Sequence, residues 1–185
     1  MLETDRLLLR QLVASDADVI YALRSDAEIM RYIREPQNRR ETENWIRLVS
    51  SRWSKDKLGF CGVVEKKSGV LTGWCGVWRL SETDEVEIGY AIAKKFWRMG
   101  FATEAAEALL RYAFTHIKPD KITAVAEPEN TASRRVMEKL GMKFVRLGEF
   151  YSRQLVQYAI SQESWMENQQ QRQNEYNYGL STLDC

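Results

Sequence analysis

Lys94–Arg111 reads KKFWRMGFATEAAEALLR, and the rest of the chain is organised around it. Its first part holds Lys94, Lys95 and Arg98 in a loop with one glycine, and this loop runs into a helix through Met99-Gly100-Phe101-Ala102. Just upstream, Glu85-Val86-Glu87-Ile88-Gly89-Tyr90-Ala91-Ile92 alternates as a strand does. A strand, a one-glycine turn and a helix together make an anion site. The first N–H groups of a helix have no intrahelical partner, and the positive end of the helix dipole points the same way. Gly100 has no Cβ, so backbone can approach a ligand closely; the small Ala102 keeps the next turn open, and Arg98 adds charge. A tight strand-to-helix turn with a solvated basic rim fits the same residues. The stretch lacks both the GxGxxG of a dinucleotide fold and the GxxxxGK-S/T of a phosphate loop.

Outward from this segment the pattern is mixed. Arg6–Leu12 reads as a strand, and Ser15 or Asp16 caps a short helix through Tyr21 and Leu23. Asp26–Ile33 is a second short helical stretch, closed by Pro36. Thr42–Lys55 is amphipathic, with Trp45, Leu48, Val49, Arg52 and Trp53 on one stripe. Gly59–Glu65 and Val70–Trp78 pair across a Lys66-Lys67-Ser68-Gly69 turn, and Glu85–Ile92 completes an antiparallel meander. After the central helix, from about Gly100 to His116, Lys121–Ala126 is a short strand that a crossover makes parallel to its neighbour. Pro128 and Asn130 open another helix, ended by Gly141. Met142–Leu147 and Gln154–Ile160 close the sheet as a hairpin. The expected architecture is a mixed α/β domain over residues 1–162, with a mostly antiparallel sheet of six to seven strands and about four helices. From residue 163 to 185 the chain turns rich in Gln and Asn. Counted from Ser161, that tail holds one basic and four acidic residues, a charge of −3. It reads as outside the core, either disordered or a short helix docked by Trp165.

Composition narrows the function. The 185 residues suit one domain, and 44% hydrophobic with 11% aromatic content can bury a core. A net charge of +1 argues against nucleic-acid partners, which need a concentrated basic surface. Cys61, Cys75 and Cys185 form no CxxC, and free thiols suit a reducing cytoplasm. Cys61 and Cys75 lie in strand-like runs and read as core residues. With His116 as the one histidine, a multi-histidine metal site is impossible, and no metal is expected. His116 reads as a helix-end residue. A Ser-His-Asp triad would need it, and no G-x-S-x-G supplies the serine. The start, Met1-Leu2-Glu3-Thr4-Asp5-Arg6, is too polar for a leader, and no run is apolar enough to span a membrane.

The order and motifs resemble those of the GNAT family of N-acetyltransferases over roughly Leu2 to Gln162. The family's cofactor motif has Gln or Arg, two residues, Gly, one residue, then Gly or Ala. Here Trp97-Arg98-Met99-Gly100-Phe101-Ala102 matches at Gly100 and Ala102, with Trp97 in place of Gln or Arg. Asn130-Thr131-Ala132-Ser133, followed by Met137, Lys139, Gly141 and Met142, resembles a second family helix. Asn130, Ser133 and Met137 share one face of it. The opening Glu3-Thr4-Asp5-Arg6-Leu7 and the run Glu87-Ile88-Gly89-Tyr90 resemble the branch that acetylates ribosomal-protein N-termini, the RimJ/RimL type.

The resemblance implies acetyl-CoA as co-substrate and an amine as acceptor, either a peptide N-terminus or a small molecule. The amine attacks the thioester directly in a ternary complex. Glu87 is implied as base, either directly or through water; a structural ion pair with a nearby arginine is the plain reading. Gly89 and Ala91 beside it leave room for a ligand. The family splays its sheet after this strand, often through a bulge, freeing backbone near Tyr90, Ala91 and Ile92 for the pantetheine arm. Trp97, Arg98, Met99, Gly100, Phe101, Ala102 and Thr103 would hold the pyrophosphate, and Asn130 would complete the cofactor site or simply cap its helix. Many members place a tyrosine acid where Met137 stands, so that role is absent here or moved to Ser133, which would otherwise be an ordinary helix-start serine. Met30, Tyr32 and Tyr151 would line the acceptor slot, or pack. A non-catalytic acyl-CoA-binding module on the same fold is the alternative. Exposed aromatics and the tail would permit a homodimer.

Overall fold

Eight strands form one sheet in the order β1-β2-β3-β4-β5-β6-β8-β7. They are β1 (Leu2–Glu3), β2 (Leu7–Gln11), β3 (Gly59–Glu65), β4 (Leu71–Arg79), β5 (Val86–Ile92), β6 (Lys121–Ala126), β7 (Lys143–Phe150) and β8 (Arg153–Ser161). The helices are α1 (Ala17–Arg24), α2 (Ala27–Met30), α3 (Arg39–Asp56), α4 (Phe101–Tyr112), α5 (Thr131–Lys139) and α6 (Gln162–Ser181). This computed structural model describes residues 1–56, 58–80 and 85–181, with side chains for 1–53, 58–80 and 85–174. Cys185 lies outside the described residues. The sheet has eight strands rather than six or seven because Leu2–Glu3 adds a two-residue edge on β2. Among the described residues six α-helices stand in place of about four, the short α2 and the terminal α6 included.

Every neighbouring pair is antiparallel except β5 and β6. Those two are joined through α4, whose Ala105, Ala106, Leu109 and Leu110 are fully buried against the sheet. Their parallel pairing spans only Val86↔Ile122 and Glu87↔Thr123, so a gap opens beyond Glu87. The β4–β5 register runs unbroken from Arg79↔Val86 to Gly73↔Ile92. The splay therefore arises where β6 leaves β5, without the expected bulge.

Several local readings shift. Asp16 does not cap α1. Its carboxylate takes two hydrogen bonds of 2.7 Å from Arg10 and one of 2.9 Å from the Val13 N–H. The α3 helix starts before Thr42, because Asn38 and Glu41 form a reciprocal capping box, with N–H donors at 3.0 and 2.7 Å. The buried stripe of α3 is Thr42, Ile46 and Val49 with the half-buried Trp45, while Leu48 and Arg52 face outward. Spacing puts Leu48 on the apolar stripe, but Ile46, two residues earlier, takes that place.

The tail does reach the core. Trp165 of α6 is buried and stacks on Phe114 at 5.9 Å, while Arg172 bonds the Lys139 carbonyl at 3.0 Å. Burying an aromatic of that size contributes about 3 kcal/mol, enough to seat a helix whose outer side is polar. Cys61 and Cys75 face each other on β3 and β4, both buried. Burial pushes the Cys61 thiol up to about 12 and the Cys75 thiol upward too, so both pack rather than react. His116 stacks on Tyr112 at 4.6 Å and its Nδ1 lies 3.0 Å from the Tyr112 carbonyl, at the wide turn that ends α4. Among the described residues no helix is long and apolar enough to cross a membrane.

Candidate active site

The gap between β5 and β6 presents free backbone. Leu80 N–H donates to the Glu85 carbonyl at 2.8 Å and Ala93 N–H to the Thr72 carbonyl at 2.7 Å, at the two ends of the β4–β5 ladder. Odd-numbered β5 residues therefore bond to β4, and Ile88, Tyr90 and Ile92 turn their N–H and C=O groups toward the gap. Trp97 takes one of these, its indole N–H donating to the Ile92 carbonyl at 2.6 Å. That bond gives Trp97 a fixed place where a Gln or Arg was expected.

The start of α4 closes the gap's far end. Gly100 (φ 81°) and Arg98 (φ 64°) are both left-handed, and no side chain caps the helix. Two such residues turn successive N–H groups into a concave anion nest. A clamp fixes this turn from behind. The Arg6 guanidinium donates to the Met99 carbonyl at 2.9 Å and pairs with Glu104 at 2.6 Å, while lying over the Phe101 ring. The Arg6 N–H and the Thr4 hydroxyl both donate to the other Glu104 oxygen, at 3.0 and 2.5 Å. The opening Thr4-Asp5-Arg6 and Glu104 in the first turn of α4 are thus two halves of one contact, which sequence spacing alone did not join. Arg98 and Met99 are exposed, and among the described residues Arg98 forms no ion pair. Ala102 and Thr103 are half-buried, whereas Phe101 is buried and offers the gap only its backbone. Bare N–H groups, a left-handed turn and an unengaged guanidinium suit a diphosphate.

On the face of β5 covered by α1–α3, Glu87 is 3% exposed. The Tyr151 hydroxyl donates to its Oε2 at 2.8 Å, and the Trp78 indole N–H donates to that hydroxyl at 3.2 Å. Burial pushes the Glu87 pKa up to about 7, the Tyr151 bond holds it back, and the nearby Glu85 adds to the rise. No basic side chain among those described pairs with Glu87, which removes the ion-pair reading. The room expected beside it is partly filled, since a Cβ at Gly89 would lie 2.7 Å from the Trp78 ring. Glycine there admits the indole, and Trp78, cross-strand from Glu87, is a site residue that sequence reasoning passed over.

Tyr151 arrives on a two-residue turn between Phe150 and Arg153, with φ 53° at Tyr151 and 57° at Ser152. Such turns normally use Asn or Gly, so two ordinary residues there are strained. Arg153 anchors the turn, donating to the Ile33 carbonyl at 3.1 Å and pairing with Glu127.

On the opposite face Tyr90 reaches α5. Its hydroxyl lies 3.1 Å from the Ser133 carbonyl and 3.2 Å from Ser133 Oγ. Asn130 caps α5, its Oδ1 accepting the Ser133 N–H at 3.1 Å. Met137, one turn on, is buried. The structure thus joins four predicted residues in two pairs, Glu87 with Tyr151 and Tyr90 with Ser133. Met30 and Tyr32 do not join them. Met30 is fully buried and packs in the core, and Tyr32 is half-buried with the Arg31 guanidinium 5.1 Å from its ring.

Comparison with known proteins matches residues 6–143 to the acetyltransferase (GNAT) domain. The chain is similar to YoaA of Bacillus subtilis, described as an uncharacterized N-acetyltransferase, with 33% identity over 77% of this chain and 82% of that protein. It is also similar to YkkB of the same organism, at 32% identity over 77% and 85%. Among solved structures, a GNAT-family acetyltransferase from Bacillus anthracis superposes with a TM-score of 0.75 at 28% identity, covering 88% of this chain and 98% of that one.

Proposed function

The chain belongs to the GNAT acetyltransferase family and is an N-acetyltransferase, and from that premise we propose that it acetylates a primary amine from acetyl-CoA by direct attack. The observation that carries the reading is Glu87, a buried carboxyl with its pKa near neutrality at the apex of a strand gap that ends in an anion nest. The α4 start, from Arg98 to Thr103, would hold the diphosphate of acetyl-CoA, and the Tyr90 and Ile92 backbone would hold its arm. When bound, that co-substrate supplies the acetyl group as a thioester.

Glu87 accepts the proton that an ammonium acceptor must lose, directly or through one water; Tyr151 keeps the carboxylate oriented. Ser133 Oγ–H would donate to the leaving sulfur. Tyr90 decides when it can. If the one Tyr90 proton goes to the Ser133 carbonyl, Ser133 donates back to Tyr90; if it goes to Ser133 Oγ, the serine proton is released toward the gap. The Glu87-Ile88-Gly89-Tyr90 run and the Thr4–Arg6–Glu104 clamp support a place near the RimJ/RimL type, acting on a peptide N-terminus or a small amine.

Isothermal titration with acetyl-CoA tests the first step. Micromolar binding to the native protein, lost in Gly100→Trp with an unchanged circular dichroism spectrum, is the expected result. No binding to the native protein would mean that Trp97 and Arg98 close the nest, and the cofactor assignment would fall.

A further inference from the structure

Arg24, the last residue of α1, is 3% exposed. A guanidinium that deep ordinarily meets a carboxylate, because a lone buried charge is costly. Arg24 meets none within ion-pair distance among the described residues. Its contacts are neutral. One terminal nitrogen donates to the Gln37 side-chain carbonyl, and the group lies 4.0 Å from the Trp45 ring and 5.5 Å from the Trp74 ring. Its Nε is buried with no partner at all. Burial, followed by repulsion from Arg34, draws its pKa down to about 10 against the pull of Glu41, so it stays charged at neutral pH. The segment leading into α3 is basic as well, with Arg31, Arg34, Arg39 and Arg40 against Glu35 and Glu41.

Place matters as much as charge. Trp74 and Trp78 lie on the same face of β4, opposite Ala91 and Glu87 of β5. An aromatic row links the two ends: Trp74 to Trp45 at 5.8 Å, Trp45 to Phe60 at 5.4 Å, Phe60 to Trp78 at 4.8 Å. Trp78 then bonds the Tyr151 hydroxyl that holds Glu87. Ala91 and Glu87 are four residues apart, about 13 Å at a strand's ~3.3 Å per residue, with Gly89 midway. A cation at one end, a base at the other and an apolar wall between them describe a bifunctional ligand.

We propose that Arg24 receives a carboxylate carried by the acceptor, so that the acceptor is a small amino acid whose acid lies several methylenes from the reactive amine. This rests on the N-acetyltransferase reading, with Glu87 on the acceptor side. The aromatic row covers the methylenes, and Arg24 fixes the far end. With about 13 Å along β5 between Ala91, beside Trp74, and Glu87, an α-amino acid is too short to serve both ends, and a long peptide has no acid at that distance from its terminus by necessity.

The test compares 4-aminobutyrate, 5-aminopentanoate and 6-aminohexanoate with their carboxamides. Thiol release gives kcat/KM at saturating acetyl-CoA, and thermal shift without acetyl-CoA gives binding. The native protein should favour at least one acid over its amide by tenfold or more, and that acid should raise Tm. In Arg24→Gln the preference should fall to within about twofold, and in Arg24→Lys it should return in part. Equal kcat/KM and equal Tm shifts for acids and amides in the native protein would overturn the proposal, leaving Arg24 a packing residue. A preference that survives Arg24→Gln would do the same. If Arg24→Gln fails to fold, the native acid–amide comparison and Arg24→Lys still decide. Acid binding through Arg24 without acetyl transfer would keep this assignment and sink the catalytic one; transfer without acid preference would do the reverse.

Discussion

The two faces of β5 present opposite solutions to the placing of a proton. On the face toward α1–α3, Glu87 is a buried carboxyl held by one phenol from a strained hairpin turn. On the face toward α4–α5, Tyr90 is a buried phenol held by a serine and its carbonyl at a helix start. Alternation along the strand sends residues three apart to opposite faces, so one short element turns a carboxyl to one face and a phenol to the other. The first face works by desolvation, which moves a pKa. The second works by hydrogen-bond counting, since two acceptors compete for one phenolic proton. Desolvation is pH-dependent and costs stability; donor counting near neutrality is neither.

The largest expected effect follows from the first face. Glu87→Gln should lower kcat/KM by about 10²–10³-fold, within the range for losing a general base. In the native protein kcat/KM should rise with pH through about 7 as Glu87 ionises. The stability sign runs the other way. The folded-state pKa lies above the ordinary carboxylate value of 4.5, so burial of the charge costs stability fully above about pH 7. That cost is relieved as pH falls from 7 toward 4.5. The interval corresponds to about 3 kcal/mol. Glu87→Gln should therefore melt higher than the native protein at pH 8 and about equal to it at pH 4.5, which calorimetry at the two pH values checks. A variant that loses activity without gaining stability would show that Glu87 is solvated.

On the second face the effects should be smaller and should not add. Ser133→Ala is expected to reduce kcat about tenfold with KM for acetyl-CoA little changed, as for loss of one hydrogen bond to a charged group. Tyr90→Phe should reduce kcat a few-fold, flat with pH. If Tyr90 acts only through Ser133, the double variant should match Ser133→Ala alone. Additive losses would give Tyr90 its own contact in the gap.

How much of this was legible depended on range. The β5 alternation, the Gly100 turn, the Asn130 cap and the antiparallel meander are local patterns, and the chain shows them directly. Glu87 was singled out for the right face, but its environment was not readable. Burial came from Trp78 and Tyr151, 9 and 64 residues away, and the desolvation exists only once the sheet and hairpin meet. The Thr4–Arg6–Glu104 clamp was hidden for the same reason, its halves lying 98 and 100 residues apart. The tail was legible only as two alternatives, disorder or a short helix docked by Trp165, because its composition is mostly polar; the burial of Trp165 against Phe114 decides for the docked helix. Met30 was given to the acceptor slot from its segment, while helix phase turned it into the core.

The smallest effect separates the faces most sharply. Tyr151→Phe keeps the ring and the turn but removes the donor that holds the Glu87 carboxylate. That bond favours the charged form, so its loss should raise the Glu87 pKa further above about 7. The rising limb of kcat/KM should then move to higher pH, by roughly half a unit to one unit for one hydrogen bond of about 1 kcal/mol. At pH 7 the variant should be a few-fold slower, and at pH 9 it should rejoin the native rate. Tyr90→Phe should leave the limb where it is. Should Tyr151→Phe instead raise the acceptor KM at every pH with an unmoved limb, the phenol binds the acceptor rather than tuning the base. Glu87 would then owe its pKa to burial beside Trp78 and to Glu85, and the contrast between the faces would rest on desolvation without the hairpin's help.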